Sequence, residues 1–261
     1  MDWLEPLILG IVQGLTEFFP VSSSGHLVMM QELLDFQPGG GLVFEVAVHV
    51  ATLVAILIFY RRPVAQIAAG AITGKAYALR YVGKLVVGTL PTVATALLAR
   101  SLIESTFDMP IVTGYMLLIT GAIVWSTRYT TNRGRNLEPT WTGALLIGCA
   151  QALAILPGIS RSGSTVAAAM ALGMAPAAAA EFSFLLGVIA MAGAAVLLLP
   201  EISQADTALA SSIAIGSIGA LLSGLAALSA FVWMLKTQRF YIFAGYAWLA
   251  GMTFIAWLLW L

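Results

Sequence analysis

Long apolar segments make up most of this chain, and two short Pro/Ser/Gly-rich breaks interrupt them at residues 17–26 and 157–165. Only 9% of the residues are charged, and 60% are hydrophobic. A soluble domain carries about 25% charged residues, so most of this protein's surface is expected to face lipid. We therefore predict an all-α integral membrane protein whose polar chemistry is concentrated in the two breaks.

Six segments are apolar enough to cross a membrane, at about 20 residues per crossing. They leave no room for a separate soluble domain, so residues 1–261 are expected to form one multi-pass membrane domain. The predicted spans are residues 42–60, 85–99, 109–126, 177–199, 209–235 and 240–260.

Each polar break lies between a short apolar run and a short helix-forming run, and neither flank suits a full crossing that ends in water. Residues 20–25 read Pro-Val-Ser-Ser-Ser-Gly, and residues 157–163 read Pro-Gly-Ile-Ser-Arg-Ser-Gly. Irregular backbone at membrane depth is tolerated only where it is buried in protein or lines a wet cavity. We therefore predict two re-entrant helical hairpins.

The two halves of the chain are predicted to be repeats, residues 1–127 and 141–261, joined by a polar loop at residues 128–140. A shift of 138 residues superposes six identities within sixteen positions. One hairpin and three spans give each half an odd number of crossings, so the halves are expected to be inverted copies. The identical pairs are Gly10/Gly148, Gln13/Gln151, Leu15/Leu153, Ser22/Ser160, Ser24/Ser162 and Gly25/Gly163.

Basic residues collect in three loops, at residues 61–84, 128–135 and 236–239, which hold ten of the twelve Lys and Arg side chains. Cytoplasmic loops carry such an excess, so both termini are expected outside, with the first hairpin entering from the outside and the second from the cytoplasm. The twelve acidic residues balance the twelve basic ones, which gives no electrostatic case for a nucleic-acid partner.

The first break assembles groups that could supply a nucleophile and a base. Gln13 and Glu17 lie four residues apart and share a helix face. Hydroxyls and an imidazole follow where the backbone turns. These are Ser22, Ser23, Ser24, Gly25 and His26.

The second break combines a guanidinium with hydroxyls and backbone amides, which together describe an oxyanion or phosphate site. Arg161 is the only basic residue far from a charged loop, and a charge inside the membrane is costly enough to indicate function. Gly158 and Gly163 allow backbone amides to point at a ligand. The hydroxyls belong to Ser160, Ser162 and Thr165.

Structural explanations compete with these functional ones. Serine and glycine in membrane helices often serve close packing, Arg161 could snorkel to an interface, and Glu17 could lie at the outer interface. Glu45 and His49, also four residues apart, are expected to form a satisfied pair on a packed face that points away from the site.

Both breaks resemble the signatures of the bacterial undecaprenyl-pyrophosphate phosphatase family. The matching segments are residues 13–26, Gln-Gly-Leu-Thr-Glu-Phe-Phe-Pro-Val-Ser-Ser-Ser-Gly-His, and residues 157–165, Pro-Gly-Ile-Ser-Arg-Ser-Gly-Ser-Thr. Residues 180–186, Ala-Glu-Phe-Ser-Phe-Leu-Leu, match as well. This chain has Gln13 where the family allows Glu or Gln, so a carboxylate role at that position is in doubt.

The resemblance implies a metal-dependent inner-membrane hydrolase that removes the terminal phosphate from a C55 isoprenoid pyrophosphate on the periplasmic side. Ser23 is expected to attack, with His26 or Glu17 as the base and Arg161 as the phosphate clamp. Glu17 is the expected ligand of Mg²⁺ or Ca²⁺. Attack by His26, or by a water activated by Glu17, stays open, as does association into a homodimer.

Two rival functions are compatible with parts of the sequence. The type-2 phosphatidic acid phosphatases use a Ser-Gly-His element and a Ser-Arg element followed by a second histidine, but that position is Ala167 here. A transporter or lipid flippase is the other rival, because inverted repeats with broken helices are a transporter architecture.

Overall fold

The structure, a computed structural model, describes residues 3–34, 42–107, 109–130, 134–197 and 207–260. Within these ranges the only β-type pairing is an isolated bridge between Asn136 and Met174. The glycine-rich segment at 38–41, Arg133 and the connection at 201–206 lie outside the described residues. The α-helices are α1 Leu4–Phe18, α2 Ser23–Leu34, α3 Leu42–Phe59, α4 Arg61–Ile72, α5 Ala76–Leu98, α6 Arg100–Phe107, α7 Pro110–Ser126, α8 Trp141–Leu153, α9 Arg161–Ala171, α10 Pro176–Leu197, α11 Thr207–Lys236 and α12 Phe243–Trp260.

Five of these helices, α5, α7, α10, α11 and α12, are long and apolar enough to cross a membrane. Helix α3 meets the same criteria only together with α4, from which an 82° bend separates it. A sixth crossing follows if that bent pair counts as one span. The all-helical, multi-pass class predicted from the sequence is therefore confirmed.

The connection between the first two predicted spans differs from the prediction. It was expected to be a loop, but α4 fills residues 61–72 and α5 begins at Ala76 instead of near residue 85. Pro63 lies in the first turn of α4, where its missing N–H has no intrahelical partner to lose. The segment at residues 61–63 therefore follows the end of α3 at Phe59 and forms the first turn of α4.

Glycines allow two pairs of helices to pack with their backbones in close contact. A Cβ on Gly10 of α1 would overlap the carbonyl of Gly216 on α11, and a Cβ on Gly148 of α8 would overlap the carbonyl of Gly88 on α5. Small residues at such crossings let membrane helices approach closely. Helix α1, which leads into the first break, thus packs against α11 from the second half of the chain. Helix α8, which leads into the second break, packs against α5 from the first half.

A buried aromatic cluster fixes the end of α1 next to the first break. Phe18 meets Phe184 of α10 edge to face with ring centroids 5.6 Å apart, and Phe184 meets Phe231 of α11 at 5.1 Å. All three side chains are fully buried. Because Glu17 precedes Phe18, this packing determines where the Glu17 carboxylate lies.

Candidate active site

The first break is a tight turn between α1 and α2 that contains one left-handed residue. Phe19 is extended after α1 ends, and Ser22 has a φ of +69°. The Ser22 hydroxyl accepts a hydrogen bond from the Gly25 amide at 3.3 Å. Ser22 therefore satisfies one of the free N–H groups at the start of α2.

The second break is held by a threonine from α7. The Thr120 hydroxyl donates to the Gly158 carbonyl at 2.7 Å and accepts from the Ser160 amide at 2.9 Å. Gly158 has a φ of +94°, and a Cβ there would overlap the Thr113 carbonyl. Ser160 caps α9 by accepting from the Gly163 amide at 3.0 Å, as Ser22 does for α2.

The two breaks touch each other, which brings together residues far apart in the sequence. The Ser162 hydroxyl of the second break donates to the Phe19 carbonyl of the first at 3.1 Å. A Cβ on Gly25 would lie 3.0 Å from the Gly158 Cα. The two breaks therefore form one site.

Glu17 stands at the centre of this site. Its Oε1 forms an ion pair with the Arg161 guanidinium. Its Oε2 accepts hydrogen bonds from the Ser23 hydroxyl and from Gln13 Nε2, the latter at 3.0 Å. Glu17 thus contacts the predicted nucleophile of the first break and the predicted phosphate clamp of the second.

A cavity of about 320 Å³ opens beside this cluster. Of the predicted site residues, Glu17, Ser22, Ser23, Ser24, Ser160 and Arg161 line it. The other lining residues are Glu45, Val46, His49, Thr92, Gln151, Ala154, Ile155, Ile159, Ala190 and Met191. The cavity lining therefore combines polar and charged side chains with aliphatic ones.

The remaining predicted site residues lie behind the cavity wall. Gln13 bonds to Glu17, and the Thr165 hydroxyl donates to the Arg161 carbonyl at 2.7 Å and bonds to the Ser183 hydroxyl. Those that support the breaks through backbone contacts are Gly25, Gly158, Ser162 and Gly163. Ser183 belongs to the third matching segment, which had no assigned role.

His26 lies behind the wall as well. Its Nδ1 is 2.8 Å from the Ser22 carbonyl oxygen, and its Nε2 is 2.8 Å from the Tyr246 hydroxyl on α12. The side chain of His26 is 7% exposed. Both ring nitrogens therefore have partners other than Ser23.

The prediction that Glu45 and His49 point away from the site was wrong. Both line the cavity, and His49 Nε2 lies 3.7 Å from Glu17 Oε2. Helical spacing places the two on one face of α3 but does not say which neighbour that face meets. Phe44 and Val48, each one residue earlier and so on the adjacent face of α3, are fully buried, and their packing fixes the rotation of the helix.

A glycine of α10 makes room for the Arg161 guanidinium. A Cβ on Gly187 would occupy the place of Arg161 Nη1. That nitrogen is buried and has no hydrogen-bond partner among the described residues. The position of the guanidinium thus depends on the absence of a side chain at residue 187, which no pattern in the sequence indicated.

The donor set of the cavity is compatible with a divalent cation bound together with phosphates. Within the described part of the chain, no group of three or more His, Cys, Asp or Glu side chains could hold a metal ion by itself. The carboxylates of Glu17 and Glu45 both line the cavity. Mg²⁺ is commonly bound by one or two carboxylates plus substrate phosphates, and these residues fit that mode.

Comparison with known proteins gives matches over nearly the whole chain. The model of the family "Bacitracin resistance protein BacA" matches residues 6–253. A protein named undecaprenyl-diphosphatase from Desulfatibacillum aliphaticivorans is 39% identical over 97% of this chain and 98% of its own length. Proteins of the same name are 35% identical in Desulforapulum autotrophicum, over 97% of both chains, and 37% identical in Carboxydothermus hydrogenoformans, over 98% of this chain and 97% of the other.

Replacing Gly187 with valine is expected to displace the Arg161 guanidinium, because the new side chain takes the space of Nη1. Phenylglyoxal labelling with mass spectrometry should then show several-fold more modification of Arg161 than in the unaltered protein. Gly193→Val is the matched control on the same helix, since a Cβ there meets nothing within 4 Å. Equal labelling of Arg161 in the Gly187→Val variant and the unaltered protein would contradict the described packing.

Proposed function

The chain belongs to the bacitracin resistance protein BacA family, and on that premise we propose that it hydrolyses undecaprenyl pyrophosphate to undecaprenyl phosphate and inorganic phosphate. The reaction recycles the lipid that carries cell-wall precursors. The observation that carries the proposal is the contact of Glu17 with both Ser23 and Arg161 at the edge of one cavity.

The reaction begins with in-line attack of the Ser23 hydroxyl on the terminal phosphorus. Glu17 Oε2, which already accepts the hydrogen bond of that hydroxyl, takes its proton. The bond between the terminal phosphorus and the bridging oxygen breaks, and undecaprenyl phosphate leaves. Water then hydrolyses the phosphoserine, releases phosphate and restores the serine.

Arg161 stabilises the negative charge that develops on the phosphates. Its side chain is 16% exposed and lines the cavity, so a phosphate there reaches it. Preorganised cations of this kind supply much of the rate acceleration in phosphoryl transfer. The hydroxyls of Ser22, Ser24 and Ser160, which also line the cavity, offer hydrogen bonds to the non-bridging oxygens.

The aliphatic part of the cavity lining suits the first isoprene units of the substrate. It consists of Val46, Ala154, Ile155, Ile159, Ala190 and Met191. The rest of the C55 chain would extend between the helices into the surrounding lipid. Because one chain supplies both breaks, this site does not require the homodimer that the sequence left open.

Mg²⁺ or Ca²⁺ is the proposed cofactor, with Glu17 as the predicted ligand and Glu45 as a second carboxylate at the cavity. When bound, the cation would neutralise charge on the phosphate oxygens. The residues of the chain keep their own roles: Ser23 attacks, Glu17 takes the proton and Arg161 binds phosphate.

The inverted repeat accounts for the way the helices pack. Superposition of the halves pairs α1 with α8 and α5 with α11, and the contact of α1 with α11 has its counterpart in the contact of α8 with α5. The serine caps at Ser22 and Ser160 repeat as well. These reciprocal contacts support two inverted copies, each with a re-entrant hairpin whose tip meets the other inside the protein.

The three basic loops gather at one end of the helices. Lys84, the last basic residue of the first group, forms an ion pair with Glu138, three residues after the second group, at 2.8 Å. The rings of Trp125, just before the second group, and Tyr241, just after the third, lie 5.9 Å apart. This clustering supports a common cytoplasmic side for all three.

The cavity lies toward the opposite end. Glu45 and His49 are in the half of α3 remote from Arg61, Thr92 is in the far half of α5, and Ala190 is in the far half of α10. This placement supports an active site that opens to the periplasmic side of the inner membrane.

Purified protein in detergent is expected to release phosphate from a long-chain isoprenoid pyrophosphate. Ser23→Ala should abolish turnover, and Arg161→Ala should lower kcat by about 10²–10³-fold, the usual loss when one preorganised donor to the transition state is removed. Arg161→Lys should remain impaired, since an ammonium does not reproduce the guanidinium fork. The phosphate released by each of these three variants is measured with malachite green.

Ser229→Ala and Arg80→Ala, both at exposed positions, are the matched controls and should keep full activity.

A chelator should stop the reaction, and added Mg²⁺ or Ca²⁺ should restore it. Turnover that is insensitive to the chelator would remove the metal from the proposal. Wild-type activity in both Ser23→Ala and Arg161→Ala would overturn the site. Movement of the lipid across liposomes without phosphate release would favour the transporter.

The proposed orientation can be tested with single cysteines in a Cys149→Ser background. Ser101→Cys lies on α6, away from the basic loops, and Leu137→Cys lies in the loop that contacts Lys84; both positions are exposed. In intact cells, a membrane-impermeant maleimide should label the Ser101→Cys variant. It should label the Leu137→Cys variant only after the cells are permeabilised. The reverse pattern would place the cavity on the cytoplasmic side.

A further inference from the structure

The His26 ring is fixed by hydrogen bonds on both nitrogens. A carbonyl oxygen can only accept, so Nδ1, 2.8 Å from the Ser22 carbonyl, carries the hydrogen. In the neutral ring Nε2 is then the acceptor, and the Tyr246 hydroxyl at 2.8 Å donates to it. This assignment follows from the partners of the ring.

The geometry of the two rings suits that second bond. The His26 and Tyr246 rings lie within 10° of parallel, with centroids 5.6 Å apart. The stacked rings hold the imidazole beside Tyr246, within 2.8 Å of the hydroxyl that donates to Nε2. Tyr246 therefore sets the orientation of His26.

His26 in turn holds the strained residue before the proposed nucleophile. Ser22 has a φ of +69°, in the left-handed region that non-glycine residues seldom adopt. Its carbonyl accepts from His26 twice, through Nδ1 at 2.8 Å and through the backbone amide at 3.2 Å. Such a conformation persists only where neighbouring contacts enforce it.

We propose that Tyr246 and His26 are positioning residues that act in series: Tyr246 orients His26, His26 holds the Ser22 carbonyl, and the resulting turn points Ser23 at Glu17. The proposal rests on the proposed function, because it assigns a purpose to the turn that carries the nucleophile. It also gives α12, in the second half of the chain, a direct connection to the nucleophile in the first half.

The alternative roles of His26, as base or as nucleophile, require a ring nitrogen that faces the substrate. His26 does not line the cavity, and the proton of Ser23 is already directed to Glu17. The imidazole is therefore placed to hold the backbone and not to take part in the chemistry.

His26→Asn and His26→Ala separate these roles. The asparagine amide nitrogen stands near the place of Nδ1 and can still donate to the Ser22 carbonyl, but it cannot accept a catalytic proton or become phosphorylated. A positioning role predicts that Asn keeps at least about ten-fold more kcat than Ala. A base or nucleophile predicts that both variants lose about 10²–10⁴-fold, the usual contribution of general acid–base catalysis.

Tyr246→Phe removes only the hydroxyl and should lower kcat several-fold with little change in KM, because substrate binding groups stay in place. Tyr115→Phe, at an exposed position on α7, is the matched control and should match the unaltered protein. Amide hydrogen exchange at residues 22–25 should rise in Tyr246→Phe and not in Tyr115→Phe.

Equal loss in His26→Asn and His26→Ala, or unaltered kcat and exchange in Tyr246→Phe, would overturn the proposal. If His26→Ala does not fold, as judged by thermal unfolding in detergent, the kcat of His26→Asn is compared with that of the unaltered protein. The kcat and amide exchange of Tyr246→Phe then decide whether the proposal holds. The exchange measurement needs no substrate. An unaltered protein that releases no phosphate would therefore refute the proposed function while the positioning of the turn is still judged by exchange.

Discussion

The ion pair between Glu17 and Arg161 is the interaction on which the arrangement of this protein depends. Each charge comes from a break in an apolar chain, and either one alone at membrane depth would be costly. Removing one partner of a buried pair usually costs about 3–5 kcal/mol, because the other charge remains buried. The breaks must therefore meet, and the helices that lead into them are arranged so that they do. Hydrogen bonds such as that from Ser162 to Phe19 extend the contact along the backbone.

The two proposed repeats contribute different chemistry to one cavity. At a shift of 138 residues, Ser23 superposes on Arg161 and Glu17 on Ile155. One copy thus provides the hydroxyl and the carboxylate, and the other provides the cation at the position that corresponds to the hydroxyl. The shared serines 22 and 160 cap the helices that follow. Ser23 and Arg161, which correspond in the proposed repeats, both contact Glu17, so divergence at a few residues would be enough to build an asymmetric site.

The membrane class, the helical breaks and most of the polar lining of the cavity can be predicted from the sequence, because they depend on composition and on local residue patterns. Features that depend on how helices face each other cannot. Glu45 and His49 were expected to point away, since their spacing on α3 carries no information about the neighbouring helix. The space at Gly187 for the Arg161 guanidinium was missed for the same reason: a glycine in an apolar helix gives no sign of what approaches it. The sequence predicts a loop where α4 forms, because Arg-Arg-Pro at residues 61–63 is typical of a helix end, but the same three residues form the first turn of α4.

A structure of the protein with a non-hydrolysable isoprenoid methylenediphosphonate would test the central claim most directly, namely that the two breaks form one diphosphate site. The terminal phosphonate is expected to contact the Arg161 guanidinium and the Ser23 hydroxyl, with the isoprenoid chain leaving past the aliphatic lining residues Ile155 and Met191. A diphosphonate bound outside this cavity, or bound within it without contact to both Arg161 and Ser23, would contradict the account.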